Sequence, residues 1–193
     1  SVWGLLSAAS WPMQIAPGAR RVVGLWGNPA WTCWRKASEM AEFRLVEDDL
    51  TGPEIAALLQ AHLDSMHEHS PPGSVHALDL EALRAPEISF WTAWDGDQLA
   101  GCGALKALDA EHGEIKSMRT AQSHLRRGVA FQILSHMISV ARSRGYRQVS
   151  LETGSNAPFQ PAHRLYEGFG FRPCGPFSDY GDDAFSRYYT LVL

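Results

Sequence analysis

The chain has 193 residues, 45% of them hydrophobic and 20% charged, with a formal net charge of −4. Such proportions belong to a soluble globular protein with enough length for one well-filled core, and the negative balance argues against a nucleic-acid partner. Cys33, Cys102 and Cys174 stand apart with no C-x-x-C pair, which argues against a disulfide frame or zinc site and fits a reducing, cytoplasmic compartment; no apolar run nears the roughly 20 residues of a membrane span.

The charge is unevenly placed. Residues 1–38 hold Arg20, Arg21, Arg35 and Lys36 and no acid, so the remainder carries −8. The same stretch holds five of the seven tryptophans and Pro12, Pro17 and Pro29, with no sustained period of 2 or 3.6. Residues 1–39 therefore read as an irregular extension, non-native or translated from upstream, and residues 40–193 as the folded domain. A native arm that caps a dimer or an apolar surface is the alternative.

In chain order, "FRLVE" (43–47) alternates and reads as a strand. Residues 51–69 follow helical spacing, with Thr51 as N-cap and Pro53 near the first turn. "SPPGS" (70–74) breaks that helix, and a short helix follows around Leu78–Leu83. Residues 88–105 form a hairpin turning at Asp95–Gly96. "GEIKSMRT" (113–120) alternates as a strand. After a loop, Val129, Ile133, Leu134, Met137, Ile138 and Ala141 make one face of a helix that stops at Gly145. A strand at 147–153, a short helix in 161–171 and a strand at 186–193 complete the chain. Helices interleaved with a largely antiparallel run of strands predict an α+β fold around a mixed sheet.

The stretch "HLRRGVAF" (124–131) places Arg126, Arg127 and Gly128 where a helix begins. The first four N–H groups of a helix lack internal partners, and the helix dipole makes that end positive. A strand, a donor-rich loop and such a helix start make a diphosphate cradle in general form. It lacks the G-K-[ST] of a P-loop and the three glycines of a dinucleotide fingerprint. An ordinary solvated basic turn is the alternative.

These residues resemble the GNAT superfamily of acetyl-CoA-dependent N-acetyltransferases. "GEIKSMRT" followed by "LRRGVA" resembles the family's [QR]-x-x-G-x-[GA] motif, with Gly128 and Ala130 matching and Leu125 departing at its first position. "PAHRLYEGFGF" is similar to the family's A-x-x-L-Y-x-x-x-G-F, matched by Ala162, Leu165, Tyr166, Gly170 and Phe171, while Phe159 stands where Asn is frequent. The longer string from "SPPGSVHALDL" to "LETG" also resembles a bacterial subgroup of general acetyltransferases.

The resemblance covers about residues 43–193. It implies a mostly antiparallel twisted sheet, flanked by helices and splayed between strands 113–120 and 147–153. It implies acetyl-CoA as cosubstrate and no metal. Pyrophosphate would sit at Arg126, Arg127, Gly128, Val129, Ala130 and Phe131. The pantetheine arm would run along Met118, Arg119 and Thr120 and past Phe159 and Tyr166. The amine acceptor, of a small molecule or peptide, would enter from the opposite side and attack the thioester directly. Homodimers are common in the family.

Glu114 stands where many members keep a catalytic or acceptor-binding carboxylate, with Glu152 on the neighbouring strand as the competing base. Tyr166 matches the tyrosine near the coenzyme A sulfur. His76 and Trp91 fall where the family builds its acceptor wall, and Trp94 and Tyr180 are further candidates. His67 and His69 have no cysteine or strand-borne carboxylate to complete a metal set. The alternative from another class is a non-catalytic acyl-CoA-binding or interaction module.

Overall fold

The computed structural model describes residues 42–69 and 79–193. The predicted extension 1–39, the break at 70–74 and His76 lie outside the described residues. Within them the chain runs β1 (Arg44–Glu47), α1 (Pro53–His69), α2 (Leu80–Leu83), β2 (Ile88–Asp95), β3 (Gln98–Ala107), β4 (His112–Thr120), α3 (Val129–Ser143), β5 (Gln148–Gly154), α4 (Gln160–Gly168), β6 (Arg172–Cys174) and β7 (Ser186–Val192). Short 3₁₀ turns at Gln122–His124 and Ala157–Phe159 precede α3 and α4. The predicted elements are found within a few residues; β6, three residues long with Pro173 inside it, has no counterpart among them. Thr51 does not cap α1: its hydroxyl donates to Asp49 Oδ1 at 2.6 Å and the helix begins two residues later, at Pro53.

The strands form one seven-stranded sheet in the order β1-β2-β3-β4-β5-β7-β6. Every neighbouring pair is antiparallel except β4 with β5. Helix α3 links these two, as a parallel pair requires a crossover. The hairpin turn forms where expected, with Gly96 at φ 57.

Side chains alternate across the sheet and feed two cores. On one face Leu105, Ile115, Val149 and Leu151 pack against α3, whose buried residues are the six that the spacing predicted. Each fully buried aliphatic there contributes about 1.5–3 kcal/mol. On the other face Cys102 and Ala104 of β3 pack against Ile55 and Leu59 of α1. Close seating of α3 depends on Gly101 and Gly103: a Cβ at Gly101 would stand 2.7 Å from both the Arg119 carbonyl and Val129, and one at Gly103 2.8 Å from Ile133.

Candidate active site

The site begins where two strands part. β4 and β5 pair from His112↔Gln148 to Ile115↔Leu151 and no further. Beyond that point β4 stays with β3 as far as Gly101↔Thr120, and β5 stays with β7 as far as Gly154↔Ser186. Each strand keeps its outer partner, so their facing edges diverge. A bulge adds to the divergence, because Cys102 faces Arg119 whereas Ala104 faces Lys116, which leaves β4 one residue in excess. Ser117 absorbs the excess at φ 52. Its carbonyl accepts from the Cys102 thiol at 3.5 Å. Burial pushes that thiol up to about 12, so Cys102 is a structural residue and no nucleophile at neutral pH.

A cavity fills the opening, with Lys116, Met118, Glu152, Phe159 and Tyr166 along it and His62 and Met66 of α1 closing one side. Phe159 lies over the end of β5, where a Cβ on Gly154 would meet its ring at 2.4 Å. Tyr166 is 7% exposed, and its hydroxyl points at Met118 Sδ, 3.9 Å away. Burial and the nearby Glu152 charge hold the Tyr166 pKa well above that of an ordinary phenol. The hydroxyl is therefore a proton donor throughout the neutral range. The Glu152 carboxylate accepts from Ser186 at 2.6 Å.

Behind Lys116 lies a polar cluster. Its ammonium donates to Glu114 Oε1 at 2.9 Å and to the Tyr180 hydroxyl at 2.6 Å, and that hydroxyl donates to Glu114 Oε1 at 2.6 Å. Burial and the Glu114 carboxylate push the Tyr180 pKa far up. Tyr180 is held by ring contacts to Phe177 and Tyr188, with centroids 5.2 and 5.6 Å apart. The Tyr188 hydroxyl in turn donates to the Gly181 carbonyl at 2.9 Å, tying the preceding loop to β7.

At the far end of β4 the chain turns into α3. Arg126 has φ 59, and Gly128, the N-cap, has φ 92, where any Cβ would be strained. No side chain caps this helix and no acid stands in its first turn. The end is thus left open to an anion, with N–H groups from the cap onward unspent. Arg127 is committed elsewhere: its guanidinium donates to Asp95 Oδ2 at 2.7 Å and lies 5.7 Å over the Phe43 ring. His124 Nε2 stands 3.3 Å from the same carboxylate oxygen. These two contacts hold the pre-helix loop against the β2–β3 turn. Arg126 makes no side-chain hydrogen bond or ion pair among the described residues.

The model of the acetyltransferase (GNAT) family matches residues 55–171, more than half of the chain. The chain belongs to the GNAT acetyltransferase family. It is 62% identical over 146 residues to the uncharacterized N-acetyltransferase YsnE of Bacillus subtilis (strain 168), covering 76% of this chain and 97% of that one. It is 52% identical over 151 residues to the uncharacterized N-acetyltransferase YedL of Escherichia coli (strain K12), covering 78% and 95%. Among solved structures, a Bacillus subtilis acetyltransferase in complex with CoA superposes with a TM-score of 0.56 at 20% identity, over 79% of this chain and 99% of that one. This GNAT domain is an N-acetyltransferase, and its fold is one that holds CoA.

Within this GNAT site the predicted residues separate into groups. Met118, Glu152, Phe159 and Tyr166 meet at the cavity. Arg119 and Thr120 continue the open part of β4, and Arg126 through Phe131 form the helix start, with the Phe131 ring 4.8 Å from Phe169. Glu114 sits one hydrogen bond behind the cavity, 3% exposed. Trp91 is not brought to it: at 5% exposure it packs under α3, edge-on to His136 at 5.2 Å. Trp94 is likewise elsewhere, its indole N–H on Thr92 Oγ1 and Arg44 above its ring. Lys116, Ser117 and, from α1, His62 are polar members that the sequence does not point to. Lys116 was within reach of sequence reasoning, because the i, i+2 period of a strand puts it on the face of Glu114. Ser117 was not, because nothing in an alternating strand announces a bulge. No group of three or more His, Cys, Asp or Glu residues is placed to hold a metal ion among the described residues, and no described helix is long and apolar enough to cross a membrane.

Proposed function

We propose that the protein transfers acetyl from acetyl-CoA to a primary amine of a small molecule or peptide, by direct attack within a ternary complex. The observation that carries this reading is the parting of β4 from β5 beyond Ile115 and Leu151, beside an uncapped helix start at Gly128. The residues fit the cosubstrate. Main-chain groups of Met118, Arg119 and Thr120 lie along the unpaired edge of β4 for the pantetheine amides, and the N–H groups from Gly128 to Phe131, with the Arg126 charge, take the pyrophosphate. Acetyl-CoA supplies an activated acyl thioester whose sulfur departs as a thiol.

Tyr166, buried and protonated, donates toward the departing sulfur. An alkylammonium of pKa near 10.4 must lose a proton before it can attack. Glu152, in the cavity wall, is placed to accept that proton directly. Glu114 accepts at one remove: Lys116 passes one of its protons to Glu114 Oε1, and the amine so freed takes the proton of the acceptor. The acceptor comes in on the α1 face, opposite α3.

The test is calorimetric titration with acetyl-CoA of the parent and of Gly128→Glu. The parent binds, and the variant loses affinity by at least about tenfold, because a carboxylate at the cap opposes the diphosphate. Equal affinity in the two proteins would remove the helix start from the site.

A further inference from the structure

His62 projects from α1 into the wall of the cavity, and its Nδ1 is buried with no hydrogen-bond partner among the described residues. His124 Nε2 and His136 Nε2 are also buried without a hydrogen bond, but neither lines this cavity, and His124 Nε2 faces the Asp95 carboxylate at 3.3 Å. His67, one turn further along α1, spends Nδ1 on the Leu63 carbonyl four residues back, at 2.8 Å. His112 bonds Ser150, and His163 bonds the Gly154 carbonyl. An unsatisfied buried polar atom calls for a reason, and a ligand is one. The other such atom on this cavity is Ser117 Oγ, on β4, where the donor's arm is placed. His62 comes from α1, on the acceptor's side.

We propose that His62 Nδ1 accepts a hydrogen bond from the reactive nitrogen of the acceptor, which makes His62 a substrate-contacting residue of the transfer. The proposal rests on the transferase reading above and adds a residue to it. With its proton on Nε2, the ring presents a lone pair at Nδ1. The charged and titratable groups around it are Arg119, whose positive charge acts on the ring, and Lys116, Glu152 and Tyr166 along the same cavity, with Glu114 behind Lys116. Burial and Arg119 lower the imidazole pKa to about 4, so the lone pair is kept at neutral pH. A charged imidazolium could only donate, and would repel an ammonium. A neutral one orients the attacking nitrogen while Glu152 or Glu114 receives its proton. His62 thus holds the nucleophile and is not the final base.

The test compares His62→Leu, His62→Asn and the parent in acetyl transfer to whichever amine releases thiol. Leucine removes the acceptor atom; asparagine carries an oxygen close to the place of Nδ1. His62→Leu is expected to lose about tenfold or more in kcat/KM for the amine, with KM for acetyl-CoA within about twofold, and His62→Asn to recover most of the loss. A purely structural role would move both substrates alike and give no recovery with asparagine. Full amine kcat/KM in His62→Leu overturns the proposal. Failure of the parent to release thiol with any amine is a separate result, which overturns the transferase reading. In that case, or if His62→Leu does not fold, the ¹⁵N resonance of His62 Nδ1 is followed in the parent during amine titration with acetyl-CoA present. A displaced resonance supports the contact, and an unmoved one overturns it.

Discussion

The buried pair of Glu114 and Lys116 makes a quantitative demand on the fold. Their side chains are 3% and 10% exposed, joined at 2.9 Å, and both bond the Tyr180 hydroxyl. Deleting one member of such a pair strands the other charge away from water, at a cost of about 3–5 kcal/mol. Lys116→Met leaves the carboxylate with one donor, Tyr180. Glu114→Gln keeps an oxygen for that phenol but leaves the ammonium without its counter-charge. Each single change is expected to cost about 3 kcal/mol, a large share of an ordinary folding free energy. At roughly 2–4 °C per kcal/mol for a chain of this size, Tm falls by about 6–12 °C. The double change Glu114→Gln with Lys116→Met removes both charges, so its cost falls well short of the sum and the cycle returns a coupling of about 2 kcal/mol or more. Urea unfolding at pH 7 of the four proteins measures this. Additive losses below about 0.5 kcal/mol each would mean that water reaches the pair as it reaches a surface salt bridge, and the cluster would contribute little to the stability of the fold.

Further outcomes follow from other contacts. Gly101→Ala should cost about 1–3 kcal/mol by overpacking, since the new Cβ meets the Arg119 carbonyl and Val129 at 2.7 Å, whereas Gly168→Ala, with nothing within 4 Å, should be neutral or stabilising by up to about 1 kcal/mol; thermal melts of the two variants compare them directly. Tyr166→Phe should lower kcat by about 10²-fold with little change in acetyl-CoA affinity, if the phenol meets the sulfur mainly as charge develops on it; an undiminished kcat would leave the thiolate to solvent. His62 has a folded pKa of about 4 against 6.5 unfolded, so the unfolded chain binds the extra proton between these values. Its contribution to stability is full above pH 6.5 and is lost as pH falls from 6.5 through 4, by about 3 kcal/mol in all, and His62→Leu should remove that part of the acid slope in urea unfolding.

The parts of the fold legible in the sequence were those governed by period. The face of α3 repeats at helical spacing and was read residue for residue, and Asp95–Gly96 announced the hairpin through its turn chemistry. Two motif positions fall at features of the candidate site, Gly128 at the uncapped helix start and Tyr166 on the cavity. What escaped depends on neighbours far along the chain. Trp91 sits on an alternating strand, and only the assembled sheet tells which face meets α3 and which meets the cavity. The Glu114 partners lie two and sixty-six residues away, and a strand pattern does not reveal that Tyr180 folds back over it. Arg127 looked free for phosphate because its partner Asp95 lies thirty-two residues earlier, on the hairpin turn. Thr51 looked like a cap because its type and place fit; Asp49, two residues before it, takes its hydroxyl instead.

Thiol release from acetyl-CoA across a panel of alkylamines, amino acids, polyamines and short peptides tests the central claim most directly, with acetylated product followed by mass spectrometry. The parent is expected to release one thiol for each amide formed with at least one amine, and Gly128→Glu to release it at least about tenfold more slowly at sub-saturating acetyl-CoA. Binding of acetyl-CoA by calorimetry, with no thiol released in the presence of any amine, would contradict the account and make the protein an acyl-CoA-binding module.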